Sequence, residues 1–472
     1  MVEEKRSKVV IIGGGITGLT TAYYLLQEKK NQSLPIDIVL IETSSRLGGK
    51  IQTTIRDGFI IEGGPDCFLE RKTSATRLAK EVGMEHELVN NTAGKSFVLA
   101  REKLYAMPGG AIMGIPTQIA PFVTTGLFSP IGKLRAAADF VLPKSKEKQD
   151  QPLGAFFRRR LGDEVVENLI EPLLSGIYAG DIDEMSLMST FPQFYQVEQK
   201  YGSLVLGMKR ATPAKPKTKA NSKSKKGMFL TIKTGLQSFV DQIELALDEV
   251  TILKNTKVQT LAKEGKQYRL QLNDTTVIEA DTVVVTIPHQ EAASILSNFP
   301  FMAPFTNVPS TSVATVAMAF NQSAIKDDIN GTGFVVSRKC DYSITACTWA
   351  HKKWPHSSPK GKALLRCYVG RPNDSKIVDL SNKDIEKIVL NDLNKTMNIT
   401  EQPEFTVISR WKEAMPQYTV GHKERIEQLK KDLNESLPGV IFSGSSYEGL
   451  GLPDCIDQGE AAVKDVIHYL YN

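Results

Sequence analysis

The sequence has few of the residues that build metal sites and disulfides. Its five cysteines are an odd number with no C-x-x-C pair, and its six histidines show no ligand spacing. This pattern argues against structural zinc and a disulfide framework, and it predicts reduced thiols in a cytosolic protein without a metal. The first residues, MVEEKRSK, lead into a strand-like run rather than a signal-peptide core, which also predicts a cytoplasmic location.

Most of the chain also lacks an excess of one sign of charge, although the net charge is +5. Eight of the 58 basic residues and no acidic residue lie between Lys209 and Lys226. The rest of the chain therefore contains 50 basic and 53 acidic residues. A nearly neutral body gives no indication of nucleic-acid binding. We expect residues 209–227 to form a disordered Lys-rich loop, because this segment contains almost no apolar residue.

No uninterrupted hydrophobic run is long enough for a membrane span. Residues 104–132 carry no charge, but they contain four prolines. A spanning helix needs about 20 mostly apolar residues that satisfy their own backbone hydrogen bonds. We predict short helices joined by turns, and the alternative is an apolar patch in peripheral contact with a membrane surface.

The first motif that carries chemistry is VVIIGGGITGLTTAYYL, a β-branched run followed by G-x-G-x-x-G and a helical pattern. Gly13 permits a tight turn, Gly15 lets a pyrophosphate approach the backbone, and Gly18 lets the helix pack on the strand. The next strand, IDIVLIE, ends in Glu42, which suits a ribose diol and favours NAD or FAD over NADP. The residues expected to line this dinucleotide site are Gly13, Gly14, Gly15, Ile16, Thr17, Gly18, Glu42 and Thr43.

The following segment, ETSSRLGGKIQT, resembles the second fingerprint of FAD enzymes of the amine oxidase type. The resemblance implies that Arg46 and Gly49 lie near the pyrophosphate and that Lys50 reaches phosphate or ribitol. The segment GFIIEGGPDCF would bring backbone close to the isoalloxazine ring. Further cofactor contacts implied in this way are Gly63, Gly64, Pro65, Asp66, Val258 and Trp411.

The C-terminal segment GVIFSGSSYEGLGLPDCIDQGEAAV predicts a strand, a glycine-rich turn and a capped helix whose positive end faces the flavin. The flavin contacts expected there are Ser445, Leu450, Gly451 and Leu452. No second G-x-G-x-x-G follows a strand, so a separate nicotinamide domain is not expected. Electrons must therefore come from the substrate and leave to oxygen or another acceptor.

These distant segments must meet at one FAD, so we predict an α/β fold with a discontinuous, Rossmann-like FAD domain of the amine oxidase type. The predicted division is residues 1–80, 228–290 and 408–472 for the FAD domain, residues 81–101, 184–208 and 291–407 for an α+β substrate-binding domain, and residues 102–183 for a small helical domain. The helical domain is the candidate for facing a membrane or a partner. Its run Arg158-Arg159-Arg160 predicts a solvated face.

A narrower pattern lies in IEPLLSGIYAGDIDEMSLMSTFPQF, which together with SSYEGLGLPDCIDQG resembles the porphyrinogen oxidases of haem biosynthesis. The likeness covers nearly the whole chain except the Lys-rich insertion, and it is most like the soluble branch of Gram-positive bacteria. It implies FAD-dependent six-electron oxidation of coproporphyrinogen III to coproporphyrin III, with oxygen as acceptor and hydrogen peroxide as by-product, and activity on protoporphyrinogen IX. Aromatisation drives the reaction, so no catalytic acid or base is assigned.

The substrate implied by this resemblance is flat, apolar and edged with carboxylates. Gly180 would permit close approach of the macrocycle, and Tyr368 is either a wall of the pocket or a core aromatic residue. Eukaryotic relatives have an arginine where this chain has Asp66. We therefore expect Arg71 or Lys72 to bind the propionates, and the alternative is that both are merely exposed charges.

Three other functions stay open from the sequence. The physiological substrate could be protoporphyrinogen IX, the enzyme could be a flavin amine oxidase, or the protein could bind flavin as a scaffold without turnover. An amine oxidase would need an aromatic cage for a cation, and only Trp349, Trp354 and Trp411 are available. Expected partners are the porphyrinogen and oxygen, with contacts to other haem-pathway enzymes left open, no nucleic acid, and at most peripheral membrane contact.

Overall fold

The computed structural model describes residues 6–146, 149–211 and 226–471. In this part of the chain the strands are β1 (Ser7–Ile12), β2 (Ile36–Ile41), β3 (Thr53–Arg56), β4 (Phe59–Glu62), β5 (Phe68–Leu69), β6 (Leu88–Thr92), β7 (Ser96–Ala100), β8 (Lys103–Ala106), β9 (Ala111–Ile112), β10 (Ile115–Pro116), β11 (Lys226–Ile232), β12 (Thr251–Leu253), β13 (Val258–Glu264), β14 (Gln267–Leu272), β15 (Val277–Ala280), β16 (Thr282–Val285), β17 (Ser310–Asn321), β18 (Gly333–Val336), β19 (Ile344–Trp349), β20 (Lys362–Val369), β21 (Phe405–Pro416) and β22 (Val440–Phe442). The α-helices are α1 (Ile16–Gln32), α2 (Thr73–Glu81), α3 (Ile119–Thr124), α4 (Pro130–Ala137), α5 (Leu153–Leu161), α6 (Asp163–Val165), α7 (Glu171–Tyr178), α8 (Leu187–Thr190), α9 (Pro192–Tyr201), α10 (Leu204–Ala211), α11 (Leu236–Leu245), α12 (His289–Ile295), α13 (Ala303–Thr306), α14 (Ala350–Lys353), α15 (Asn382–Met397), α16 (His422–Ser436) and α17 (Leu452–Tyr471).

Most of the predicted Lys-rich loop, residues 212–225, lies outside the described residues. Its first three positions form the end of α10, and its last two positions begin β11.

A five-stranded parallel sheet forms the first half of the fold, with the strand order β12-β2-β1-β16-β22. The β-branched run at residues 9–12 becomes the central strand β1, which is buried on both faces. Helices α1, α11 and α17 contribute to the apolar core on one face. The antiparallel strands β13, β14 and β15 and helices α12 and α16 contribute to the core on the other face. Helix α11 and the strands β12 to β16 all lie within residues 228–290.

A seven-stranded mixed sheet forms the second half, with the strand order β21-β17-β20-β19-β18-β7-β8. Helix α15 packs on one face of this sheet. Two boundaries of the predicted substrate-binding domain differ from the extent of this sheet. Residues 408–416 continue the edge strand β21 of this sheet, and residues 103–106 form its other edge strand rather than part of a helical segment. Edge strands carry a weak periodic signal, because only one neighbour and one face constrain their side chains.

Helices α3–α10 pack around buried phenylalanines such as Phe156 and Phe157. The expected solvated face of three arginines is wrong for Arg160, which is fully buried and donates to Asp139 Oδ1 over 2.5 Å. Position 160 follows Phe156 by four residues on α5, so its side chain lies on the same inner face of the helix. In the described part of the chain, no helix is both long and apolar enough to cross a membrane.

Candidate functional site

Glycines shape the turn between β1 and α1. Gly13 has a φ of +107°, and a Cβ there would lie 2.8 Å from Thr286 Oγ1. A Cβ on Gly18 would lie 1.9 Å from the carbonyl oxygen of Gly13, so glycine is needed for α1 to pack this closely. A Cβ on Gly15 would meet nothing within 4 Å. Gly15 therefore borders open space, which is the arrangement that a bound phosphate requires.

The other side of this open space is the turn after β2. Gly48 donates a backbone hydrogen bond to Gly14 O over 2.8 Å, and a Cβ on Gly49 would lie 3.2 Å from Gly15 Cα. Gly15 is the N-cap of α1 and provides no side-chain cap, so the first N–H groups of α1 lack intrahelical acceptors. We call residues 13–18, 48 and 49 the glycine cradle. The cradle fits the diphosphate of a dinucleotide, since it offers bare backbone at the positive end of a helix.

Glu42 lies next to the cradle, directly after β2. Its Oε2 accepts a hydrogen bond from Gly14 N over 2.8 Å, and its Oε1 accepts from Ser44 N over 2.8 Å. The backbone N–H of Thr256 donates to Glu42 O over 3.0 Å, which brings the start of β13 with the buried Val258 to the same place. The carboxylate is thus fixed at the carboxyl end of the parallel sheet, where α/β folds bind a ribose.

Two cations follow Glu42, and the structure gives them different roles. Arg46 donates to the backbone oxygens of Ile51 over 2.7 Å and Gly49 over 2.6 Å, so it shapes the turn itself. Lys50 is half-buried, and desolvation lowers its pKa. Among the described residues no carboxylate forms an ion pair with Lys50. Lys50 is therefore the cation that remains available to an anionic group bound in the cradle.

A second glycine turn, the 63–66 turn (Gly63, Gly64, Pro65 and Asp66), lies between the cradle and the seven-stranded sheet. A Cβ on Gly64 would lie 1.8 Å from the carbonyl oxygen of Lys50, so this turn touches the cradle side directly. On the sheet side, Gly63 O accepts from Trp411 Nε1 over 2.8 Å and from Thr315 Oγ1 over 2.7 Å. The turn is therefore fixed from both halves of the fold.

Asp66 at the end of this turn is engaged by the protein. Its Oδ2 accepts from Lys353 Nζ over 2.7 Å and from Trp354 Nε1 over 3.2 Å. Burial would raise the pKa of Asp66, but the positive charges of Lys353 and Arg366 outweigh it and hold the pKa below its usual value. Asp66 thus acts in this structure as an ionised anchor for the turn.

The C-terminal segment reaches the same region. A Cβ on Gly459 of α17 would lie 2.8 Å from Thr17 O, so α17 crosses close to the first turn of α1. Tyr418 donates its hydroxyl hydrogen to Ser445 O over 2.7 Å. Leu450 packs against the helical region and Leu452 against the core under α1, so residues 445–452 bridge the two halves. The turn before α17 therefore lies where both halves of the fold border the cleft.

The predicted cofactor residues lie in segments that the structure links by direct contacts. These residues are Gly13, Gly14, Gly15, Ile16, Thr17, Gly18, Glu42, Thr43, Arg46, Gly49, Lys50, Gly63, Gly64, Pro65, Asp66, Val258, Trp411, Ser445, Leu450, Gly451 and Leu452. Ile16 and Thr17 are buried at the start of α1, Thr43 is exposed, and Gly451 lies against Asp454.

The two cations expected to bind substrate carboxylates differ in their surroundings. Lys72 forms an ion pair with Asp454 in the first turn of α17, and Asp454 also acts electrostatically on Tyr178 of the 175–180 segment. Arg71 is exposed, and among the described residues it has no ion pair. Lys72 is therefore tied to the first turn of α17, and Arg71 is the exposed cation beside it that has no carboxylate partner among the described residues.

The 175–180 segment contains a residue that the sequence analysis did not select. Gly180 is packed, because a Cβ there would lie 2.6 Å from Gln417 Oε1 and 2.7 Å from Met185 Sδ. A Cβ on Gly176 would meet nothing within 4 Å, and the next residue, Ile177, exposes about half of its side chain (51%). Open space therefore lies at Gly176 rather than at Gly180, in the same motif but one helical turn earlier.

Tyr368 lies on β20 and is half-buried, on the face of the seven-stranded sheet that carries the 63–66 turn. Its hydroxyl oxygen accepts a hydrogen bond from Arg366 Nη1 over 2.5 Å. Metal binding has no support in the described residues, because no three side chains of His, Cys, Asp or Glu are grouped to hold an ion. The five cysteines are free thiols.

The model of the family described as flavin containing amine oxidoreductase matches residues 16–467 of the chain. The coproporphyrinogen III oxidase of Bacillus subtilis (strain 168) is 56% identical over 471 residues, which cover 100% of both chains. The coproporphyrinogen III oxidase of Staphylococcus aureus (strain NCTC 8325 / PS 47) is 46% identical over 97% of this chain and 98% of its own length. The crystal structure of a candidate protoporphyrinogen oxidase from Exiguobacterium sp. 255-15 matches with a TM-score of 0.89 and 39% identity, covering 99% of this chain and 100% of the other.

Proposed function

Since the chain belongs to the flavin-containing amine oxidoreductase family and groups within it with the porphyrinogen oxidases, we propose that it oxidises coproporphyrinogen III to coproporphyrin III. It is an FAD-dependent oxidoreductase of the α/β class. The observation that carries the proposal is the 56% identity to the B. subtilis coproporphyrinogen III oxidase over both full lengths, which includes the cradle and the substrate-side sheet. The compared region therefore covers every segment of the site.

The fit to FAD rests on the donors and spaces already described. Gly15 and the first turn of α1 would hold the diphosphate, Glu42 the ribose and Lys50 an anionic part of the cofactor. The 63–66 turn would lie against the isoalloxazine ring system of FAD, because this turn separates Lys50 from the seven-stranded sheet. When bound, FAD accepts a hydride from the substrate and passes the electrons to an acceptor.

The protein's own residues hold the porphyrinogen and exclude water from it. Each of three rounds removes a hydride from a saturated meso carbon together with a proton, which makes six electrons in all. Over the three rounds each of the four meso carbons loses one hydrogen and two of the four pyrrole nitrogens lose theirs. With oxygen as the proposed acceptor, three O₂ become three H₂O₂ and the atoms balance. We assign no acid or base, since the gain of aromaticity drives the reaction and placement of the meso carbon is the main requirement. Gly176, Tyr368 and the pair of Arg71 and Lys72 are the proposed substrate contacts.

Two other substrates can be compared with the features of the same site. Protoporphyrinogen IX differs from coproporphyrinogen III in two substituents, so it is the second candidate, and more distant relatives carry the name protoporphyrinogen oxidase. An amine substrate has less support. Trp349 and Trp354 are buried in the protein and Trp411 is engaged with Gly63 O, so these tryptophans do not form a cage around an open space.

We propose a domain division that follows the two sheets: an FAD domain around the parallel sheet, a substrate domain around the seven-stranded sheet, and helices α3–α10 as the third unit. The third unit exposes Ile131 by 81%, Leu134 by 75% and Val141 by 84%, close to the exposed cations Lys144 and Lys146. This combination favours peripheral contact with an anionic membrane surface by a protein that otherwise works in the cytoplasm. Co-sedimentation with vesicles that contain anionic lipid should fall when Ile131 and Leu134 are replaced by glutamate.

The function is tested by anaerobic addition of coproporphyrinogen III to the flavin-loaded protein. We expect the yellow flavin absorbance to bleach and to return when oxygen is admitted, with peroxide released. The ratio of kcat/KM for the two porphyrinogens then identifies the preferred substrate. Bleaching by putrescine alone would select an amine oxidase, and a spectrum that neither porphyrinogen nor amine changes would identify a flavin-binding protein without turnover.

A further inference from the structure

Arg366 connects the two walls between which the proposed reaction takes place. It lies on β20 and only 3% of its surface is exposed. Its Nη2 donates to Gly64 O in the 63–66 turn. Its Nη1 donates to the hydroxyl oxygen of Tyr368 over 2.5 Å, and the guanidinium lies 4.8 Å from the Tyr368 ring centre. One side chain thus donates hydrogen bonds both to the backbone of the 63–66 turn and to the hydroxyl of Tyr368.

The geometry of the 63–66 turn depends on such bonds. Gly63 O is fixed by Thr315 and Trp411, and the described part of the chain contains no cis peptide. The C=O and N–H groups of a trans peptide point in opposite directions, so the Gly64 N–H points away from the sheet. The next carbonyl, Gly64 O, receives its only hydrogen bond within the described residues from Arg366. Arg366 therefore completes the orientation of the turn.

Arg366 forms no direct ion pair among the described residues, although its charge acts electrostatically on Asp66. The nearby carboxylate of Asp66 is taken up by Lys353 and Trp354. The Nε atom of Arg366 is buried and has no hydrogen-bond partner in the structure. A buried guanidinium with an unsatisfied donor is costly, so a purely structural role would be served better by an apolar side chain.

We propose that Arg366 is a positioning residue for the oxidation: it holds Tyr368 and the 63–66 turn in one rigid frame and so sets the distance between substrate and cofactor. This inference rests on the proposed function. A lysine at this position would keep the charge but lose the planar fork that bonds two acceptors at once. Misplacement by about 1 Å is enough to slow a positioned reaction by roughly 100-fold.

The test compares Arg366→Lys with Arg160→Lys in the flavin-loaded, full-length protein. Arg160 is a matched control because it is also buried and donates to backbone oxygens of Asp139 and Gly202, but it lies in the helical region. We measure the rate of anaerobic flavin bleaching by coproporphyrinogen III, the porphyrinogen concentration that gives half the maximal rate, and the visible spectrum and affinity of bound FAD. Arg366→Lys should slow the maximal bleaching rate by about 10- to 100-fold. It should also shift the flavin spectrum, while the half-maximal concentration changes far less.

A wild-type rate with an unshifted spectrum in Arg366→Lys would overturn the inference, and so would an equal loss of rate in Arg160→Lys. If Arg366→Lys fails to fold, Tyr368→Phe keeps the bond to Gly64 and removes only the bond to the hydroxyl. That variant should bleach more slowly than wild type while its flavin spectrum stays unchanged, and an unchanged rate would also overturn the inference. Failure of the proposed function looks different, because the wild-type protein itself would then not bleach.

Discussion

Glu42 accepts a hydrogen bond from the backbone N–H of Gly14 over 2.8 Å, and this contact joins the end of β2 to the turn that opens α1. The same carboxylate accepts two hydrogen bonds from Ser44, one from the backbone and one from the hydroxyl. Three protein donors hold it in place before any ligand arrives. A group that is already positioned binds its ligand without an ordering cost.

Glu42→Gln should weaken FAD binding by about tenfold, since one charge-assisted hydrogen bond contributes roughly 1.5 kcal/mol or more. Titration of the apoprotein with FAD, followed by flavin fluorescence, measures the dissociation constant. Asp37→Asn is the control, because Asp37 lies on the same strand β2 but pairs with Arg6 on the half-exposed surface. Equal affinities of the Glu42 variant and wild type would show that this carboxylate does not hold the cofactor.

The cofactor side of the fold could be predicted from sequence because its signals are local. Gly13, Gly18 and Glu42 follow from one strand-turn-helix-strand unit, in which each residue type has a steric or chemical reason. The seven-stranded sheet is different, since its edge strands β8 and β21 come from segments far apart in the chain. Nothing local in the segment 405–416 indicates which sheet it joins.

On the substrate side, the roles of individual residues also could not be predicted from local sequence. Gly176 and Gly180 lie in one motif, and only the packing of Gln417 and Met185 decides which glycine faces open space. The sequence analysis did not select Arg366, because a basic residue within an apolar strand could equally be exposed at an edge. The signal that could have found it is its alternation with Tyr368, which places both side chains on one face of β20.

Gly176→Ala and Gly180→Ala should separate substrate contact from packing. In Gly176→Ala the new methyl group enters open space on α7, where alanine is also the better helix former by about 1 kcal/mol. Thermal stability should therefore be kept or increased, while KM for coproporphyrinogen III rises. Gly180→Ala should lose about 1–3 kcal/mol of stability through overpacking against Met185. A raised KM in Gly180→Ala without a loss of stability would show that Gly180 contacts the substrate.

Arg71→Ala and Lys72→Ala test the anchoring of the substrate carboxylates. At least one variant should raise KM several-fold with little change in kcat, because a propionate contact is made equally in the ground state and the transition state. Since Lys72 is paired with Asp454, Asp454→Asn should release Lys72 and lower KM if Lys72 is the anchor. KM values from steady-state oxidation decide between the two cations. If both alanine variants keep the wild-type KM, neither Arg71 nor Lys72 binds the substrate carboxylates.

Stability should fall as the pH rises toward neutrality because of Glu62, the last residue of β4. Burial raises the pKa of Glu62 from 4.5 to about 7, although hydrogen bonds from Leu236 N and Thr53 Oγ1 act in the opposite direction. Between pH 4.5 and about 7 the folded protein thus holds a proton that the unfolded chain releases. The free energy of unfolding then decreases with rising pH in this window and levels off above it.

Glu62→Gln isolates this contribution from the other carboxylates, because glutamine cannot titrate and keeps the shape of the protonated side chain. The difference in unfolding temperature between wild type and Glu62→Gln should shift in favour of the glutamine variant as the pH rises from about 5 to 8. Thermal unfolding of the apoprotein at several pH values measures it without interference from flavin binding. Parallel profiles for the two proteins would mean that Glu62 keeps an ordinary pKa in the folded state.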